Sequence, residues 1–335
     1  MRKLLLTTLF LAVPASQAMA GAWEAKTSRE PLASREVERP LVLQRGWLQF
    51  DLGVDWKNAT GYWGADGEPL EFDSARWTYT TERIGIEYGI THRSELDFAF
   101  PFHYLRLQNE SLGTDIQDFG PGDPSFTYKF EVLRRAAPLT SVIVYGHVKL
   151  PAGNESPGQY IGGPNTVSKF VMTSGTFDYT FGLAAKQQAG PIALRLDGGY
   201  TYRQGAVVQY LVEVEQYQFS GRIKPGNVLF GDAGLTVQAG PVALDGSVLA
   251  TRRAVTRIGT TGEGEMGNSQ LDAVPESDGW TLDANAGLIL QASRGIDLIG
   301  SVGIPLRGED LQFFPIEDIH PTRGLTYSGT LEMRF

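Results

Sequence analysis

The feature that most constrains this chain is an alternation of apolar and polar residues that recurs from residue 47 to the last residue. Leu96, Phe98, Phe100, Phe102 and Tyr104 stand between Glu95, Asp97, Ala99, Pro101 and His103. Leu48, Phe50, Leu52, Val54 and Trp56 alternate with Gln49, Asp51, Gly53 and Asp55 in the same way. So do Phe126, Tyr128, Phe130 and Val132 against Ser125, Thr127, Lys129 and Glu131, and Leu194, Leu196 and Tyr200 against Arg195 and Asp197. Successive side chains of an extended strand point to opposite faces, so each segment has one greasy and one polar face. Helical periodicity is weak throughout.

A β-sandwich also alternates, and the connections decide between the two. Tight turns are legible at Gly89–Arg93, Arg134–Pro138, Gln187–Pro191, Gln238–Pro241 and Ala292–Gly295, where Gly or Pro supplies the geometry of a reversal. Between them lie long polar connections near residues 57–74, 106–123, 151–175, 204–226, 252–279 and 308–324. Short and long connections taking turns give about 12 antiparallel strands with both chain ends on one side, which is the pattern of an up-and-down outer-membrane barrel. In lipid every backbone donor and acceptor must be paired internally, so such strands must close. The expected architecture is therefore an all-β transmembrane antiparallel barrel over residues 45–335.

The N-terminus agrees. Arg2 and Lys3 precede an apolar run from Leu4 to Val13, and Ala18-Met19-Ala20 reads as a cleavage site, so residues 1–20 are expected to be a secretory signal. No later run approaches the roughly 20 apolar residues of a membrane-spanning helix. The 335 residues include no cysteine, which removes disulfides, thiol nucleophiles and lipid attachment at cysteine. A net charge of -9 argues against nucleic acid as a partner. The expected location is the outer membrane of a Gram-negative bacterium, with lipid around the barrel and both termini in the periplasm. Residues 21–44 carry Glu24, Lys26, Arg29, Glu30, Arg35, Glu36, Glu38 and Arg39 and do not alternate. They form either a periplasmic segment or a plug folded into the lumen, and a mobile tail is the simpler expectation.

If the apolar face meets lipid, the other face lines the lumen. The lumen-lining candidates are Asp51, Arg83, Glu87, Asp97, Lys129, Glu131, His147, Lys149, Asp178, Arg195, Asp197, Asp283 and Asp297. Both signs are mixed, which suits a braced inner wall as much as a selective pore. Twelve strands imply a narrow lumen, since eight leave a packed interior and sixteen an open channel. Trp47, Trp56, Trp77 and Trp280 fall near strand ends, where indole rings suit the membrane interface, and are expected to form an aromatic girdle.

No catalytic constellation emerges. His92 and Ser94 have the spacing of an outer-membrane phospholipase pair but belong to a short turn on the wrong side, so no enzyme activity is expected. Asp115, Asp118 and Asp123 do not have calcium-loop spacing, the histidines do not have metal-ligand spacing, and neither metal nor cofactor is assigned.

Tyr327, Leu331, Met333 and Phe335 share one face of the last segment, which resembles the C-terminal strand of bacterial outer-membrane proteins. The resemblance implies recognition by the barrel-assembly machinery. Gly89-Ile90-Thr91-His92-Arg93-Ser94-Glu95-Leu96 running to Pro101-Phe102, Gly122-Asp123 ahead of the Lys129 strand, and Leu150-Pro151-Ala152-Gly153 are similar to the outer-membrane barrels grouped with the phenol-degradation MetA-pathway proteins. The likeness is densest over residues 85–155, and Ala152 stands where that family usually has threonine. It implies passage of a small solute, often hydrophobic or aromatic, across the outer membrane. The other expectation is a non-conducting barrel that anchors surface loops for adhesion or assembly.

Overall fold

The computed structural model describes residues 32–33, 35–64, 66–72, 75–109, 113–152, 175–212, 217–260, 272–273, 278–309 and 323–335. The expected signal sequence lies outside them, as do parts of several long connections. Twelve strands build the wall: β1 (Leu48–Ala59), β2 (Ala75–Thr91), β3 (Ser94–Asn109), β4 (Ser125–Ala136), β5 (Leu139–Lys149), β6 (Asp178–Ala189), β7 (Ile192–Arg203), β8 (Val228–Ala239), β9 (Val242–Arg253), β10 (Gly279–Ser293), β11 (Ile296–Glu309) and β12 (Thr326–Arg334). Each pairs antiparallel with its neighbours in the chain, and β1 pairs with β12 from Gln49↔Arg334 to Lys57↔Thr326. The twelve-stranded wall therefore closes on itself.

The alternation sets which way each strand faces. Phe98, Phe100, Phe181, Leu194, Leu196, Leu244 and Leu298 stand exposed on the outside, Phe181 at 68%. Asp51, Glu95, Glu131, Asp178, Lys186 and Asp297, all on the opposite parity, are buried inside. This inversion of a soluble protein is what a bilayer around a polar interior requires. A register slip of one residue would exchange the two sets, so the pattern also fixes the pairing.

The five short turns all lie at one end, the turn end, together with the start of β1 and the end of β12. Two are built alike from Gln-Ala-Gly-Pro. In each, the glycine has a positive φ, 63° at Gly190 and 62° at Gly240, and the glutamine Nε2 donates to its carbonyl at 3.0 Å (Gln188 to Gly190, Gln238 to Gly240). Only glycine adopts that conformation without strain. The six long connections share the other, loop end. There β2 and β3 outrun the roughly 9–11 residues a strand needs to cross a bilayer, at 17 and 16 residues. The connection expected from residue 106 is partly strand: Thr114–Pro121 folds back on β3. A small hairpin, Gly61–Trp63 with Pro69–Glu71, occupies the first long connection.

Candidate functional site: a charged lumen with an N-terminal insert

Residues 36–44 do not form a free tail. They enter at the turn end and lie against the inner wall, with Val37 0% and Val42 1% exposed. A short 3₁₀ turn, Glu36–Glu38, begins the segment. A chain inside a barrel has no strand partner, so its backbone groups must bond to wall side chains. The Val37 N–H donates to Gln238 Oε1 at 3.1 Å and the Leu41 N–H to Ser141 Oγ at 3.2 Å. The Leu43 N–H donates to the Glu95 carboxylate, and Lys186 Nζ donates to the Glu36 carbonyl at 2.8 Å. Val42 packs with Ile143 and Ala184 of the wall, beside Leu41 and Tyr145. Hydrophobic and polar contacts thus hold the same nine residues.

Charge fastens the segment further. The Arg39 guanidinium, 7% exposed, pairs with Asp297 on β11 and with Glu36 at 2.9 Å. Arg334 reaches the same Asp297 oxygen at 2.5 Å and Glu332 at 2.5 Å. On the opposite wall Lys129 binds Glu95 at 2.5 Å and lies 4.0 Å from Glu87. Glu131 accepts from Ser141 and Arg134. Buried charges are tolerated when paired and hydrogen-bonded, and these are. Along the insert and above it a cavity of about 450 Å³ remains, bordered by Arg39, Leu43, Glu87, Asp245, Asn285 and Arg334.

The thirteen lumen candidates all fall on inward parity, and the structure divides them by height. Asp51, Glu87, Glu131 and Asp297 surround the insert. Arg83, whose guanidinium passes over Gly53, together with Asp97, Lys129, Arg195 and Asp197, occupies the middle. Arg195 is loosely held, 3.5 Å from Asp245 and 3.8 Å from Asp232. Nearer the loop end Lys149 bridges Asp178 at 2.6 Å and Asp123 at 3.8 Å, and His147 Nδ1 is 2.9 Å from the Thr127 hydroxyl. Asp283 faces inward opposite Pro305.

Sequence reasoning missed the aromatic lining of this wall. Tyr145 lies flat over Gly182, where a Cβ would come within 2.2 Å of its ring, and donates its hydroxyl to Asp197 at 2.9 Å. Phe230 covers Gly199 in the same way. Tyr79 stacks on His103 with ring centroids 5.3 Å apart. Glycine directly opposite an inward aromatic on the neighbouring strand was the signal available, but it is visible only once the register is known.

The girdle expectation divides. Trp56 is outward, 40% exposed, and packs on Tyr327 at 5.5 Å. Trp280 donates Nε1 to Glu309 at 2.5 Å, and Arg307 lies 5.9 Å above its ring. Trp47 is half-buried where the insert joins β1, its carbonyl accepting from Gly89. Trp77 is not a girdle residue: it has inward parity, is 7% exposed, and forms an apolar cluster with Ala59 and Leu105, flanked by Phe72, Tyr79 and Leu107. Trp63 of the small hairpin adds to the closure, seated over Gly308 with Arg323 at 5.2 Å from its ring. On the β1–β3 side the loop end of the lumen is therefore lined by apolar side chains. Leu331 and Met333 pair outward with Leu52 and Phe50, and the Phe335 backbone bonds to Leu48.

The remaining site expectations are also placed. Ser94 is buried and hydrogen-bonded to Thr91 at 2.7 Å, whereas His92 is exposed in the turn. Asp115 pairs with Arg106 at 2.6 Å, and Asp123 accepts from the Ala152 N–H at 3.0 Å, so these carboxylates serve different partners. Among the described residues no group of three or more His, Asp or Glu has metal-binding geometry.

No family model matches the chain, and no curated protein matches it in sequence. Solved structures do match. The COG4313 outer membrane channel from Pseudomonas putida F1 superposes with a TM-score of 0.61 at 13% identity, over 91% of this chain and 100% of that one. A mutant of the TodX monoaromatic hydrocarbon channel gives a TM-score of 0.44 at 8% identity, over 86% and 88% of the two chains. From its own pairing and from the first of these likenesses, the chain has an outer-membrane barrel fold: a closed, twelve-stranded, antiparallel β-barrel.

Proposed function

We propose that this protein is an outer-membrane channel for a small solute, with its turn end in the periplasm and residues 36–44 acting as the periplasmic stopper. The observation that carries the reading is the charged lumen cavity of about 450 Å³ that this segment borders. Its volume falls within the range of small-molecule sites. The structural neighbours described as channels support the reading, and so does the sequence likeness around residues 85–155. The flat faces of Tyr145, Phe230 and Tyr79, with the apolar mouth around Trp77 and Leu105, suit a hydrophobic or aromatic solute that carries a polar group. The outward C-terminal strand ending at Phe335 fits recognition by the barrel-assembly machinery.

Planar-bilayer recording of the refolded mature chain tests the channel. A truncation beginning at Leu41 removes Glu36, Val37 and Arg39 and should open more often or conduct more than the intact chain. Silence in both forms, from protein whose migration on gels still changes on heating, would favour the anchoring reading. Equal conductance in both forms would overturn the stopper.

A further inference from the structure

Tyr200, Leu229, Arg252, Trp280 and Glu309 are consecutive register partners across five strands, β7 to β11, and they form one row on the outer surface near the loop end. Cations are costly on the lipid face at mid-membrane and become tolerable at the interface. Arg252 is exposed there and makes no ion pair or hydrogen bond among the described residues. Arg307, two register pairs below Glu309 beside Leu282, is exposed too, over the face of Trp280 and near Gly67 of the small hairpin. Lys224 lies 5.5 Å over the Tyr202 ring at the same end. Glu309, the carboxylate of the row, is occupied by the Trp280 N–H. By contrast Arg106, the outward cation on β3, is neutralised by Asp115. Among the described residues, then, the outward cations of β9 and β11 stand without a carboxylate partner on this part of the surface, as Arg76 does on β2.

Directly below, the same outer face thins. Gly198, Gly231, Ala233, Gly246, Ala250, Ala284 and Ala286 replace the large apolar residues found elsewhere. An apolar groove of about 550 Å³ opens there, between Leu194, Leu196, Leu235 and Val248 over the floor of Ala233 and Gly246. Gly246 is six residues below Arg252 on β9, roughly 20 Å at about 3.3 Å per residue. A track of small residues leading down into that groove, beneath guanidiniums with no carboxylate partner among the described residues, matches one long acyl chain hanging from an anionic head.

We infer that β7–β11 carry a binding site for a phosphorylated saccharide lipid of the outer leaflet, its phosphates on Arg252, Arg307 and Lys224 and one acyl chain in the groove. Guanidinium is the side chain best suited to phosphate, and the adjacent Trp and Tyr rings suit the sugar-acyl boundary. Two inter-strand steps separate Arg252 from Arg307, about 10 Å, so two phosphates on one disaccharide could be held at once.

The inference rests on the orientation proposed above, with the loop end outside. Binding of fluorescent hexa-acylated lipid A to the detergent-solubilised mature protein tests it by anisotropy. Arg252→Gln with Arg307→Gln should raise Kd at least tenfold while conductance and heat-modifiable migration stay unchanged. Val248→Trp, which fills the groove, should weaken binding of lipid A but not of its deacylated phosphosaccharide. Unchanged affinity in the folded double variant would overturn the site. Phosphatidylglycerol competing as well as lipid A would overturn the choice of lipid. A single thiol at Glu68→Cys, probed with an impermeant maleimide on intact cells, tests orientation separately. A protected thiol in protein that binds lipid A in detergent would overturn the orientation and the outer-leaflet source, whereas a labelled thiol without lipid A binding would overturn the site alone.

Discussion

Arg39→Gln should loosen the docked segment 36–44 without unfolding the barrel, and the structure bounds by how much. The guanidinium is almost fully buried between Asp297 and Glu36. Removing one member of a buried pair costs about 3–5 kcal/mol when it strands the other charge. Here neither carboxylate is stranded: Asp297 keeps Arg334 at 2.5 Å and Glu36 keeps Lys186 at 3.4 Å. The loss is then that of charge-assisted hydrogen bonds, about 1.5–3 kcal/mol. At about 1.4 kcal/mol per factor of ten, the ratio of released to docked segment should rise roughly 10- to 150-fold. Because the chain has no cysteine, Val42→Cys provides a single thiol that is buried when the segment is docked. Its labelling rate by a soluble maleimide, with and without Arg39→Gln, reads the released population directly. Equal rates in two folded proteins would show that Arg39 does not hold the segment. A gain far above 150-fold would show that Asp297 and Glu36 do not find the compensation described.

Further tests address the wall. Phe100→Arg places a charge on the lipid face and should cost about 2–4 kcal/mol if it lies near the bilayer midplane, whereas Asp97→Asn should change solute passage with little effect on folding; equal stability losses by urea titration in vesicles would refute the two faces. Trp77→Ala empties the apolar mouth and should destabilise the barrel by about 3–5 kcal/mol while raising conductance, so a fall in conductance would count against its closing role. Gly182→Ala puts a Cβ within 2.2 Å of the Tyr145 ring and must displace it, breaking the bond to Asp197. A loss of about 1–3 kcal/mol is expected, and tyrosine fluorescence should report the move.

The wall was legible in the sequence because a bilayer imposes it twice, through period-two alternation and through closure. Phe98 and Asp97 could be sent to opposite sides from their parity alone. The insert was not legible, because its anchors are scattered: Glu95, Ser141, Lys186, Gln238 and Asp297 lie on five strands, and no local pattern relates them to Val37 or Leu43. Trp77 was misread for a related reason. Position near a strand end suggested the interface, but parity, set by its pairing with Ala59, turns the ring inward. Arg307 shows the converse, since the register shift between Leu282 and Asp283 carries it from the lumen-facing set to the outer surface.

The contacts of the insert also order events in time. Its partners lie 52, 100, 150, 201 and 258 residues farther along the chain. The full set of partners, spread from β3 to β11, is brought together only by the assembled wall. Loop closure over such separations is slow and unfavourable until the surrounding structure rewards it. The segment made early is therefore expected to complete its contacts late, after the strands that carry its partners have paired.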